Sequence, residues 1–251
     1  MRTLSNYNNG NCLVELFEDG TKIVSYEEEP RYDFPNNLDI KITNYCDLGC
    51  KFCFESSTTS GVHGDLNELF EKLFQLPSGV EIAIGGGNPL SHPDLENFLV
   101  RCKEKGWVVN ITVNQGHLKP FWDDLMNLIE KELVRGIGLS ITSSNFKYVK
   151  QLKNKTNHVI YHLIAGVHLP NVIDEILEFD NFPKLLILGY KKFGFGNNFY
   201  SKEVDDKINQ WKMYVSKYFE KGIISFDNLG IEQLRIKRFL TDEGWEKYFF
   251  E

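Results

Sequence analysis

Six short apolar, strand-like runs recur through the middle of this chain, at residues 38–43, 80–84, 107–113, 137–141, 158–164 and 185–188. Between them lie segments with helical periodicity, such as 66–76, 94–105, 120–131 and 171–178. In the first of these, Leu66, Leu69, Phe70, Leu73 and Phe74 fall on one helix face. Strand alternating with helix predicts a parallel sheet whose crossovers are helices. Six such units make a partial barrel, short of the closed eight-unit form. In folds of this kind the chemistry gathers at the C-terminal ends of the strands.

The flanks add to this core. Runs at 12–17 and 22–26 enclose Glu18-Asp19-Gly20, an Asp-Gly turn signal for a β-hairpin, and Glu27-Glu28-Glu29-Pro30 closes it. A helix is expected over about 202–220, and a last segment over 239–251. The expected architecture is α/β: a partial (β/α)6 TIM-like barrel over 36–195. An N-terminal β-hairpin extension occupies 1–35, and 196–251 form a C-terminal helical segment of the same domain. The chain stops on the apolar Tyr248-Phe249-Phe250-Glu251, which reads as a truncated or a docked end. A length of 251 residues suits one sizeable domain. The net charge of −7 argues against a broad phosphate-binding surface, so no extended nucleic-acid interface is expected. No run has the length of a membrane span, and the first nine residues lack a signal-peptide core. A cytoplasmic location is therefore expected, which suits free thiols.

Three of the five cysteines, Cys46, Cys50 and Cys53, stand in C-x3-C-x2-C spacing directly after the first barrel strand. Three closely spaced thiolates can hold three corners of a cubane iron–sulfur cluster. With no fourth cysteine near, the fourth iron is left open, unlike the clusters of electron carriers, which four cysteines close. Zinc is the competing ligand. A structural zinc site needs four ligands, and the nearest candidate is His63, ten residues on. No second C-x2-C exists, and His158 and His162 lie in a distant strand. Cys12 and Cys102 read as packed side chains on a strand and a helix.

The cysteine motif, with aromatic Phe52 just before its third thiol, resembles the signature of the radical S-adenosylmethionine (SAM) superfamily. The resemblance spans about 36–195. It implies a [4Fe–4S] cluster on Cys46, Cys50 and Cys53, with SAM chelating the open iron. It further implies reductive cleavage of SAM to a 5′-deoxyadenosyl radical that abstracts hydrogen from a substrate. Gly85-Gly86-Gly87-Asn88-Pro89, after the second strand, resembles the family's Gly-Gly-Glu-Pro-type motif for the SAM amino group. Asn88 stands where Glu is usual, which removes a charge and keeps an amide oxygen.

The resemblance extends to weaker positions. Asn114 at the third strand end, Ser140 (with Thr142) at the fourth and Leu188 at the sixth would complete the SAM site, with Phe52 adding apolar contact. On their own terms the glycines and Asn114 also read as turn residues, and Ser140 as a barrel hydroxyl. Lys191 and Lys192 reach an acidic substrate group or are solvated, and His63 and His162 could line the cavity. No cysteine follows Cys102 in this sequence, so a cysteine-rich extension like that of many peptide-modifying relatives is not expected. A reducing partner such as flavodoxin or ferredoxin is implied. The substrate stays open between a peptide or protein, for which the hairpin offers a sheet edge, and a small metabolite or nucleotide. The alternative is a non-enzymatic zinc- or iron–sulfur-binding interaction module.

Overall fold

A computed structural model describes residues 2–248. Of the expected apolar end Tyr248-Phe249-Phe250-Glu251, the last three residues lie outside the described residues. The chain divides into two compact units, 1–48 with 57–138, and 49–56 with 139–251.

The first unit opens with β1 (Thr3–Asn9), β2 (Cys12–Phe17) and β3 (Lys22–Ser25), an antiparallel sheet in that order. Next come β4 (Leu38–Thr43), α1 (Leu66–Leu73), β5 (Glu81–Gly86), α2 (Leu95–Lys105), β6 (Val108–Asn114), α3 (Trp122–Glu130) and the start of β7 (Gly136–Ser140). Here the order is β7-β6-β5-β4, and β5 runs parallel to both β4 and β6. Burial follows the period of two. Ile82 and Ile84 on β5, and Val109, Ile111 and Val113 on β6, are buried, while the residues between them are half-exposed. Asp65 caps α1 by accepting from the amides of Asn67 and Glu68. Gly106 closes α2 in the left-handed region at φ +78°.

The expected hairpin is present as β2 and β3, and β1 adds a third strand. Asn9 and Cys12 are paired residues, so Gly10-Asn11 forms a two-residue loop, with Gly10 at φ +62°. Asn9 is fully buried. Its Oδ1 accepts from the amides of Asp33 and Phe34, and its Nδ2 donates to the Phe34 carbonyl and to Asn36 Oδ1. One side chain thus satisfies the connector that leads into the barrel. Asn9→Ala leaves two amide donors without their acceptor, and a loss of about 2–3 kcal/mol is expected in urea unfolding. An unchanged midpoint would show that the connector folds without it.

The second unit holds the end of β7, then α4 (Lys147–Lys153), β8 (Val159–Ile164), α5 (Val172–Leu177), β9 (Lys184–Leu188), α6 (Phe195–Phe199) and α7 (Lys202–Tyr214). It closes with β10 (Ile223–Phe226), α8 (Asn228–Leu234) and α9 (Asp242–Tyr248). Its order is β10-β9-β8-β7, with β8 and β10 both parallel to β9. The helix expected to reach residue 220 stops at Tyr214 and continues as a 3-10 turn through Tyr218. β10, a strand the sequence pattern did not suggest, follows and pairs Ile223 with Lys184. On β8, Val159, Tyr161 and Leu163 are buried, and Tyr161 donates its hydroxyl to Asp180, which also pairs with Lys153 at 3.0 Å. His162 is on the other face, where desolvation pushes its imidazole down to about 4, so it is neutral. The architecture is α/β with a seven-stranded sheet, the partial-barrel class expected, with one strand more than the six read from sequence. Among the described residues, no helix is long and apolar enough to cross a membrane.

Candidate functional site

In the first unit the site is built where β4 and β5 end. Thr43, the last residue of β4, accepts the Gly87 amide on its carbonyl at 2.9 Å. Tyr45 accepts the Asn88 amide at 2.7 Å. Cys46 is fixed by its own amide, which donates to the Thr58 carbonyl at 2.9 Å. The stitch between these strand ends needs glycine. A Cβ on Gly87 would stand 2.1 Å from the Tyr45 carbonyl oxygen and 3.1 Å from Cys46 Cβ. Gly86, at φ +118°, is equally confined by the Thr43 carbonyl, 2.2 Å from its would-be Cβ.

Asn88 follows in this cradle, fully buried, and neither its Oδ1 nor its Nδ2 has a hydrogen-bond partner. Such an amide is rare inside a folded protein, because the group loses water without replacement. His63 lies beside the same strand end, its Nδ1 2.9 Å from Thr43 Oγ1 and its ring 4.9 Å from that of His92.

The end of β6 supplies the next loop. Asn114 accepts the Gly116 amide on its Oδ1 at 2.9 Å, capping a 3-10 turn at Gln115–His117. Its backbone is extended (φ −83°, ψ 140°) rather than left-handed. His117 ends that turn with no exposed surface, and its Nε2 is 2.8 Å from Asp47 Oδ1. Burial lowers the His117 pKa, which leaves a neutral imidazole whose Nε2–H donates to the carboxylate. A ring nitrogen of His117, a carboxylate oxygen of Asp47 and Cys46 Sγ lie within 4.8 Å of one another. Sequence reading missed both Asp47 and His117. Their only signal was position, one beside a motif cysteine and the other in a strand-end loop. His63, the expected fourth zinc ligand, is not in this group.

In the second unit Cys53 donates its amide to the Cys50 carbonyl at 3.1 Å. The Cys53 carbonyl accepts the amides of Ser56 and of Phe195, the first residue of α6. Gly194, at φ +53°, permits that approach, since its Cβ would stand 2.4 Å from the Phe54 carbonyl. Phe52 meets Phe199 edge to face, centroids 6.0 Å apart. Ser140 ends β7 half-buried, and Leu188 ends β9 paired with Ile164. Lys191 and Lys192 rest on the rings of Phe54 and Tyr200, at 4.3 and 3.4 Å from the centroids. All five cysteines are outside disulfides. Cys12 and Cys102 are buried, and burial pushes the Cys102 thiol up to about 12, the mark of an inert packed residue.

A family model described as the Radical SAM superfamily matches residues 40–169, just over half of the chain. A protein of Methanocaldococcus jannaschii is 24% identical over 209 residues, 74% of this chain and 80% of that protein. Its name assigns it provisionally to the glycyl-radical enzyme activating enzymes. Among solved structures, Streptococcus suis SuiB bound to the precursor peptide SuiA matches with a TM-score of 0.61 at 17% identity, over 87% of this chain and 55% of SuiB. SuiB bound to S-adenosylmethionine matches at 0.55 and 17% identity, over 78% of this chain and 48% of SuiB. The chain thus spans about half the length of these structures, and at that identity the likeness shows the fold.

Proposed function

This chain belongs to the radical SAM superfamily and is a radical SAM enzyme, and we propose that it uses a [4Fe–4S] cluster and SAM to abstract hydrogen from a peptide or protein. The observations that carry the cofactor reading are the motif Cys46, Cys50, Cys53 and the glycine loop against Cys46 that ends in an unpartnered buried amide. The donor set fits the group: three thiols for iron, with no fourth cysteine in the stretch. The cradle fits SAM as well. Gly86 and Gly87 hold the glycine loop tight against the Thr43 and Tyr45 carbonyls next to Cys46, and Asn88 is an amide in need of a partner. When bound, cluster and SAM together supply one-electron cleavage of SAM and hydrogen-atom abstraction.

The protein's own residues do the rest. Cys46, Cys50 and Cys53 hold the cluster. The carbonyls of Gly85, Gly86 and Gly87 accept from the SAM ammonium, and the Asn88 amide replaces the family's usual carboxylate there. Asn114 and Ser140 hydrogen-bond its carboxylate or ribose, while Leu188 and Phe52 keep water from the base. We read 36–195 as the catalytic core, with 1–35 and 196–251 as its extensions. A reduced flavodoxin or ferredoxin delivers the electron, and an oxygen-sensitive cluster places the enzyme in the cytoplasm. The substrate class is supported by the two relatives, one bound to a precursor peptide and one named for activating a protein.

The test is anaerobic reconstitution of the wild-type chain, then dithionite and SAM, with detection of 5′-deoxyadenosine. Four irons per chain and product formation are the expected result. Stoichiometric zinc with no cluster would overturn the reading in favour of a binding module.

A further inference from the structure

We propose that Asp47 and His117 form a positioning pair that sets the reduction potential of the cluster through Cys46. The inference rests on the cluster reading above and concerns residues outside the cysteine and glycine motifs.

Asp47 follows Cys46 directly, and its carboxylate reaches across to His117 at 2.8 Å. Carboxylate oxygen, ring nitrogen and Cys46 sulfur share a space only 4.8 Å across. His117 is wholly buried, and its Nδ1 has no hydrogen-bond partner. Packing alone does not call for an imidazole there. The same turn already meets the cysteine loop through Gly116, whose Cβ would be 2.7 Å from Leu48 Cδ2, and Phe121 lies edge-on to the His117 ring at 6.0 Å. Apolar neighbours of this kind suit an apolar side chain better than a ring with an unmet nitrogen. A polar pair kept beside a metal ligand is the usual means of orienting that ligand and tuning the metal.

The direction of the effect follows from charge. Reduction adds one electron to the cluster, taken from dithionite in the assay, and a carboxylate beside a cluster sulfur opposes it. The His117 N–H, bonded to that carboxylate, offsets part of the opposition. Removing the charge and removing the donor therefore act in opposite senses. Asp47→Asn should raise the potential. His117→Leu should lower it, since Asp47 loses its donor. His117→Gln, whose side-chain amide can return a donor to the Nε2 position, should stay near wild type.

The measurement is a redox titration of the reconstituted full-length chain, followed by electron paramagnetic resonance, with iron counted for each variant. Opposed shifts at full iron content support the pair's role, which a merely structural contact would not produce. Shifts of the same sign, or no shift with iron retained, overturn it. If His117→Leu fails to hold iron, Asp47→Asn against His117→Gln decides, and Asp47→Asn must lie higher. Wild type that cleaves SAM while the variants' potentials coincide removes this inference alone. Wild type that assembles no cluster removes the parent reading, and this inference with it.

Discussion

Cys46→Ala is expected to abolish SAM cleavage outright. The change removes one of three thiolates in a stretch with no spare cysteine, so the proposed cluster would lose a corner that nothing nearby replaces. The loss should exceed the ~10–100-fold cost of altering an outer-sphere partner of a metal ligand. Folding should be nearly untouched. Cys46 is half-buried and its backbone is fixed by the hydrogen bond its N–H donates to the Thr58 carbonyl, which alanine keeps. A change of about 0.5 kcal/mol or less in urea unfolding of the apo chain is expected. The readouts are iron content, 5′-deoxyadenosine yield and the unfolding midpoint. Cleavage by the alanine variant at a rate near wild type would refute the role given to this cysteine.

The second large effect is Gly87→Ala. Its Cβ would enter the Tyr45 carbonyl oxygen at 2.1 Å, and that atom is backbone, so either the glycine loop or the residues before Cys46 must move. Overpacking of this kind costs about 1–3 kcal/mol. Function should suffer more than stability, because a displacement of about 1 Å at a reacting site costs on the order of 10²-fold in rate. Gly85→Ala provides the contrast in stability. Its Cβ would meet Thr112 Cβ at an ordinary 3.5 Å, and a change within about 0.5 kcal/mol is expected. Equal stability of both variants would mean that the loop at Gly87 yields freely, against the cradle described above.

The two predictions draw on different depths of sequence information. The cysteine spacing and the strand–helix alternation are local patterns, visible in windows of ten or twenty residues, and the barrel strands from β4 to β9 all formed where those patterns lay. β1 escaped notice because it is polar: of its seven residues only Tyr7 and Asn9 are buried. β10 escaped because four residues, Ile223–Phe226, are too few to carry a period, and its identity as a strand depends on pairing with β9. The helix that follows α6 was read too long, since its apolar spacing runs on through a 3-10 turn at Val215–Tyr218.

The site divides in the same way. The glycine run could be seen, but not that Gly86 and Gly87 are confined by Thr43 and Tyr45. Asn88 could be seen as a departure from the family's Glu, but not as an amide without a partner. Asp47 and His117 are separated by 70 residues, and only the fold brings a carboxylate and an imidazole to the same cysteine. Lys191 and Lys192 looked like solvated or substrate-seeking charges. Their aromatic partners, Phe54 and Tyr200, are invisible to any sequence window around them.

The bond between the Phe195 amide and the Cys53 carbonyl has a consequence for how the enzyme is made. Phe195 is synthesised 142 residues after Cys53, which at roughly 5–20 residues per second is a delay of about 7–28 s on the ribosome. During that interval the peptide carrying Cys50 and Cys53 lacks the segment that later braces it. On the proposed cluster reading, iron loading is expected to follow completion of the chain, once Phe195 braces Cys53. Slow, anaerobic expression with a generous iron and sulfide supply suits such a maturation order.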